Sequence, residues 1–98
     1  MQLYDIIIAG GGVSGICAAV AAARSGASAL VLEQTNCLGG TWTSGLVSWM
    51  LDINNKKGFI LNEIIESLQS EQNGRFARGG SFIFESEAMK RLLDKMAE

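Results

Sequence analysis

Gly10, Gly11, Gly12 and Gly15 interrupt an otherwise apolar stretch and constrain most of what this chain can fold into. Before them runs Ile6, Ile7, Ile8, Ala9. A run without polar alternation reads as a strand buried on both faces, as in a parallel sheet. After them, Ala-rich sequence predicts a helix reaching Arg24 and Ser25, and Gly26 can end it in a left-handed conformation. A second apolar run over residues 28–32 closes on the acid Glu33. Strand, glycine turn, helix, strand and acid thus follow one another in about 30 residues, the size of a βαβ unit.

Gly10, Gly12 and Gly15 fit G-x-G-x-x-G, and each position has a physical task. Gly10 permits a tight turn, Gly12 lets a pyrophosphate approach the backbone, and Gly15 lets helix and strand pack closely. The N–H groups near Val13, Ser14 and Gly15, in the first helical turn, have no intrahelical acceptors and face such a phosphate. Ala19, one turn beyond Gly15, continues a seam of small residues against the sheet. Glu33 at the end of the second strand can accept two hydrogen bonds from a ribose diol. A lone glycine motif is a weak sign, but here the surrounding elements agree with it. The expected fold class is α/β, a Rossmann-like dinucleotide-binding domain.

At 98 residues the chain is short for a complete doubly wound nucleotide domain, and it stops on a helical stretch. The expectation is therefore the N-terminal part of a longer protein. A net charge of −2 without a basic cluster argues against nucleic acid as a partner. Two cysteines and no histidine offer too few ligands for zinc. Cys17 in the helix reads as a small hydrophobe and Cys37 as an ordinary free thiol, usage that fits a reducing cytoplasm. Residues 6–23 are apolar, but no positive charge precedes them and Gly and Ser break them. They read neither as a signal peptide nor as a membrane span.

Residues 34–49 read as a loop punctuated by Gly39, Gly40 and Gly45. Directly after the acid, it is expected to supply further cofactor contacts through backbone N–H groups and hydroxyls. Trp42 and Trp49 read as aromatics packed under that loop. Residues 46–53 suit a short strand or helix, and Asn54 to Gly58 a polar turn. Apolar spacing predicts a helix over residues 59–69 and another over 87–97, the latter N-capped by Ser86 with Glu87 in its first turn. Met89 and Met96 on that helix read as core filler. Between the helices, residues 70–80 read as a loop with Arg75 and Arg78 as solvated charges, followed by a short strand over 81–84.

The glycine turn followed by Ala19 and Gly26, near the start of the chain, resembles flavoproteins of the two-dinucleotide-binding-domain type. LGGTWTSGLVS, from Leu38 to Ser48, is similar to the double-glycine loop of bacterial FAD-dependent oxidoreductases, and KGFILNEIIESL and FIFESEAMKRLLDKM resemble that family's next two helices. The resemblance implies an incomplete Rossmann-like FAD/NAD(P)-binding domain over residues 1–98. Residues 1–35 would be the βαβ unit, and 36–98 the cofactor loop and the start of a helical region. It implies FAD as cofactor, with Gly10, Gly11, Gly12, Val13, Ser14 and Gly15 at the pyrophosphate. Glu33 would hold the adenosine ribose and Gly39, Gly40 and Thr41 the phosphate-to-ribityl region, with Gln34 and Thr43 counted among the cofactor-binding residues. The chain departs from the disulfide-reductase branch, because Cys37 stands alone and precedes the double glycine.

Two functional classes follow. In the first, the full protein is an FAD-dependent oxidoreductase acting on a small molecule; in the second, this stretch is a nucleotide-binding segment without turnover. An NAD-dependent dehydrogenase is a further alternative, since Glu33 suits either ribose. No residue, Asp5 and Asp52 included, has a catalytic context. Alone, the stretch is expected to bind FAD weakly and to associate, with Ile6, Ile8, Val31, Ile64 and Leu93 incompletely covered.

Overall fold

The structure is a computed structural model and describes residues 3–35, 37–50, 58–77 and 80–97. The expected turn at Asn54–Lys57, residues 51–53, Asp52 and Arg78 lie outside the described residues.

The βαβ unit forms from the predicted pieces. Strand β1, Ile6–Ala9, leads through the glycine turn into helix α1, Val13–Arg24, and on to strand β2, Ala29–Leu32. The two strands pair in parallel with Ile6 opposite Ala29 and Ala9 opposite Leu32. Asp5 and Ser28 hold their entrances together: each backbone N–H donates to the other's side-chain oxygen at 2.9 Å. Helix α1 ends at Gly26, φ +96°, where Ala27 N–H donates to Ala22 O and Gly26 N–H to Ala23 O. This paired pattern satisfies two of the helix's orphan carbonyls.

The second half differs from the sequence reading at several points, and Trp49, read as packed under its loop, is 53% exposed. Residues 70–80 are not simply a loop, because Gly74–Ala77 forms strand β4. It pairs antiparallel with β5, Ser81–Phe84, which lies between β4 and the short strand β3, Trp49–Met50. The Phe82 ring covers Gly74, and a side chain there would run into it. Phe76 meets Phe82 edge-to-face at 5.1 Å. Helix α2, Phe59–Ser70, and helix α3, Ser86–Met96, match their predicted positions within a residue. The N-cap of α3 is Glu85 and not Ser86, which becomes the first helical residue, while Glu87 stays in the first turn.

The core lies between one face of α1, helices α2 and α3, and the antiparallel sheet. Ile16, Ile64, Ile65, Phe82, Met89 and Leu93 are almost wholly excluded from water. Each such side chain contributes on the order of 1.5–3 kcal/mol by burial. Ile64 and Leu93, expected to be incompletely covered, are therefore core residues: α2 packs on both α3 and α1. The expectation holds for the parallel pair. Ile6 is exposed, Ile8 and Val31 are half-buried, and Ile7 and Leu32, on the face away from α1, are 62% and 54% exposed. At the surface Arg24 of α1 holds Glu63 of α2 through two side-chain hydrogen bonds, of 2.5 and 2.9 Å. No helix among the described residues is long and apolar enough to cross a membrane.

Candidate functional site

The site begins where β1 stops. Gly10 leaves the strand at φ +104°, and its N–H donates to Leu32 O at 2.7 Å. Gly12 is the N-cap of α1 in extended conformation, with no side chain capping the helix. The N–H groups of Val13, Ser14 and Gly15 stand in the first turn, where a helix has no acceptors of its own and its dipole is positive. A Cβ built on Gly12 would meet nothing within 4 Å, so that side of the turn is open, while a Cβ on Gly40 would lie 4.0 Å from Val13 N. A Cβ on Gly15 would instead collide with the Gly10 carbonyl oxygen and come within 3.2 Å of Ile8. The two glycines thus do different work: Gly12 keeps the approach clear, and Gly15 lets helix and turn touch.

The second glycine loop sits directly against the first. Gly39 N–H donates to Gly11 O at 2.8 Å, and a Cβ on Gly40 would lie 3.2 Å from the Cα of Gly12. Residues Gly40–Trp42 form a 3-10 turn that packs on α1. Gly39, at φ +106°, is roofed by Leu93 and Thr43, so α3 props the loop from behind. Thr43 is 1% exposed; its hydroxyl donates to Leu38 O at 2.5 Å and its N–H to Gly40 O at 3.1 Å. The Cys37 thiol, also buried, lies 3.7 Å from the same hydroxyl. Thr43 and Cys37 therefore brace the loop from inside. Thr41 is exposed on its outer side, and Trp42 packs inward, edge-to-face with Phe84 at 5.8 Å.

Glu33 joins the two loops. Its Oε1 accepts the Gly11 N–H at 2.6 Å, and its Oε2 accepts both the N–H and the hydroxyl of Thr35 at 2.9 Å. These donors, the Thr35 N–H foremost, hold the carboxyl below its usual range, with smaller help from the Gln34 N–H. A carboxylate has about four acceptor positions. Three are filled, so Glu33 keeps one, on Oε1, where the sequence reading had it free to take two ribose hydroxyls. Beside it a groove of about 480 Å³ runs along Ala9, Gly10, Leu32, Glu33, Gln34 and Thr35. A separate surface cleft of about 530 Å³ between the ends of α1, α2 and α3 contains none of the glycine-turn residues.

Of the residues singled out in the sequence, residues 10–15, Glu33, Gln34, Gly39 and Gly40 gather around this groove and turn, while Thr41 is exposed on the second loop and Thr43 faces inward. The sequence reading missed Thr35 and Leu93. A threonine two residues after the acid is a local hydrogen-bonding signal that could have found the first. Nothing local marks Leu93, which reaches the loop only through the docking of α3. Open backbone before a helix N-terminus, beside a groove ending in a carboxylate, suits a ligand with phosphates and a ribose.

Comparison with known proteins agrees. The chain is 44% identical over 48 residues to 4-oxocyclohexanecarboxylate 2-dehydrogenase of Sinomonas cyclohexanicum; the match covers 48% of this chain and 8% of that protein. No solved structure matches the chain. Residues 5–98 match the family of FAD-dependent oxidoreductases, from the first residue of the βαβ entrance through α3. With a parallel βαβ unit, a glycine turn and an acid-ended second strand in place, the chain belongs to the FAD-dependent oxidoreductase family, an incomplete Rossmann-like domain whose family implies a flavin cofactor.

Proposed function

We propose that these residues bind the ADP half of FAD in an FAD-dependent oxidoreductase. The observation that supports the reading is the open space beside Gly12 at the start of α1, with Gly40 of the second loop set against the same turn. Residues 10–15 would hold the pyrophosphate through backbone N–H groups and the positive helix end. Glu33 would accept a hydroxyl of the adenosine ribose, and Gln34 would flank it in the groove. Gly39, Gly40 and Thr41 would continue the contact toward the ribityl chain, on a loop held rigid by Thr43, Cys37 and Leu93.

When bound, the flavin supplies the redox chemistry, taking up or releasing a hydride. The role of this segment is to bind and orient it. Asp5 is engaged with Ser28 at the strand entrance. The similarity to a dehydrogenase supports the reaction class, transfer of a hydride between a small molecule and the flavin, without extending to the substrate.

The absorbance spectrum of the purified protein that contains these residues tests the reading. Flavin bands, with FAD released on denaturation, support it. A colourless protein that binds NADH and not FAD overturns it in favour of the NAD-dependent alternative.

A further inference from the structure

We propose that Thr35 is a positioning residue of the cofactor site, which fixes the Glu33 carboxylate so that Oε1 meets the adenosine ribose. The inference rests on the reading of Glu33 as the ribose acceptor. Thr35 donates twice to Oε2, through its N–H and its hydroxyl, each at 2.9 Å. Two donors on one oxygen fill its acceptor positions and fix the rotation of the carboxylate plane. The other oxygen, Oε1, is then turned toward Gly11, whose N–H it accepts at 2.6 Å, with one acceptor position left over. Glu33 lines the groove together with Ala9, Gly10, Leu32, Gln34 and Thr35.

The threonine is itself held in place. Its Oγ1 lies 2.9 Å from Glu33 Oε2 and 3.0 Å from the Cys37 carbonyl oxygen; its single hydrogen serves one of them at a time, and the charged carboxylate is the stronger acceptor. Cys37 is buried at the start of the double-glycine loop, and Gly39 of that loop holds Gly11. Glu33, held by Thr35 on one oxygen and by Gly11 on the other, thus links the segment after β2 to the glycine turn. A free glutamate side chain on a strand end would sample several rotamers, and ordering it on binding would weaken the complex. A pre-oriented carboxylate avoids that loss.

The hydrogen bonds on the carboxylate come from the Gly11 and Thr35 N–H groups and the Thr35 hydroxyl; among the described residues no charged side chain contributes. Removing the hydroxyl alone is therefore a clean perturbation. Val is nearly isosteric with Thr, the site is at the surface, and the backbone donor remains.

The test measures FAD affinity by fluorescence quenching in the protein containing these residues, for Thr35→Val, Thr35→Ser, Glu33→Gln and the Thr35→Val/Glu33→Gln pair. Thr35→Val is expected to weaken FAD about fivefold, and Thr35→Ser to return it to within about twofold, as for one charge-assisted hydrogen bond partly open to water. In the Glu33→Gln background Thr35→Val should add nothing, because its effect passes through the carboxylate. In the ligand-free protein, the carboxyl titration of Glu33 followed by ¹³C NMR should move upward in Thr35→Val and return in Thr35→Ser. Wild-type affinity in Thr35→Val, or an equal loss in the Glu33→Gln background, overturns the proposal while leaving the cofactor reading standing. A wild-type protein that binds no FAD overturns both.

Discussion

Gly12 and Gly15 belong to one motif, yet substitutions at them should fail in opposite ways. At Gly15 a Cβ would sit well inside van der Waals contact of the Gly10 carbonyl oxygen, with Gly10 C at 3.1 Å and Ile8 Cγ2 at 3.2 Å. The obstacle is backbone at the end of a paired strand, which cannot rotate away as a side-chain tip can. Gly15→Ala gains about 0.5–1 kcal/mol of helix propensity. Forcing a methyl into a filled interface costs about 1–3 kcal/mol, and rigid backbone sets the upper end. The net expectation is a loss of about 2 kcal/mol in unfolding free energy, measured by urea denaturation without added FAD. At Gly12 nothing lies within 4 Å, and the backbone is an ordinary extended N-cap at φ −72°. Gly12→Val should therefore change stability by no more than about 1 kcal/mol, the usual range for an N-cap exchange. It should abolish FAD binding, because the branched side chain occupies the phosphate approach. Two results would refute the reasoning: Gly15→Ala as stable as wild type, or full FAD content in Gly12→Val.

The remaining predictions concern Glu33 and a helix end. The folded-state pKa of Glu33 is depressed, so its contribution to stability is complete above the unfolded value near 4.3 and is lost as pH falls through the lower folded value. Urea titrations between pH 5 and about 2 should show a slope that Glu33→Gln flattens; an unchanged slope would mean the carboxylate is not held. The same negative charge should repel a 2′-phosphate, so NADP should not displace FAD from this site, and competitive NADP binding would contradict the assignment. Gln72 ends α2 at φ +61°, with its N–H on Gln69 O and the Asn73 N–H on Leu68 O. Gln72→Gly should relieve that left-handed backbone and stabilise by about 0.5–1 kcal/mol, the strain removed less the extra entropy of glycine; destabilisation in urea would count against it.

The βαβ unit was legible because its signals are local. An apolar run, three spaced glycines, a helix with Gly26 at its end and a closing acid each act on neighbours a few residues away. Helices α2 and α3 were legible for the same reason, from apolar spacing alone. Strand β4 was not, since Gly74, Arg75, Phe76 and Ala77 carry no alternation that marks a strand until β5 supplies their partners and the Phe82 ring covers the glycine. Exposure of Ile64 and Leu93 was misjudged because burial belongs to the docking of α2 and α3, which no single segment encodes.

The site divides along the same line. Residue types and spacing marked the glycine turn and the acid at the end of β2. Only the tertiary structure decided that Glu33 holds Gly11 and Thr35, and so keeps one acceptor position rather than two. It alone turned Thr43 inward and placed Leu93 under Gly39. The physical reason is reach. Backbone propensity and helix ends are set within a few residues, whereas the direction of a carboxylate or hydroxyl depends on which donors the fold brings within about 3 Å of it. For Glu33 one of those donors, the Gly11 N–H, lies 22 residues away in the chain.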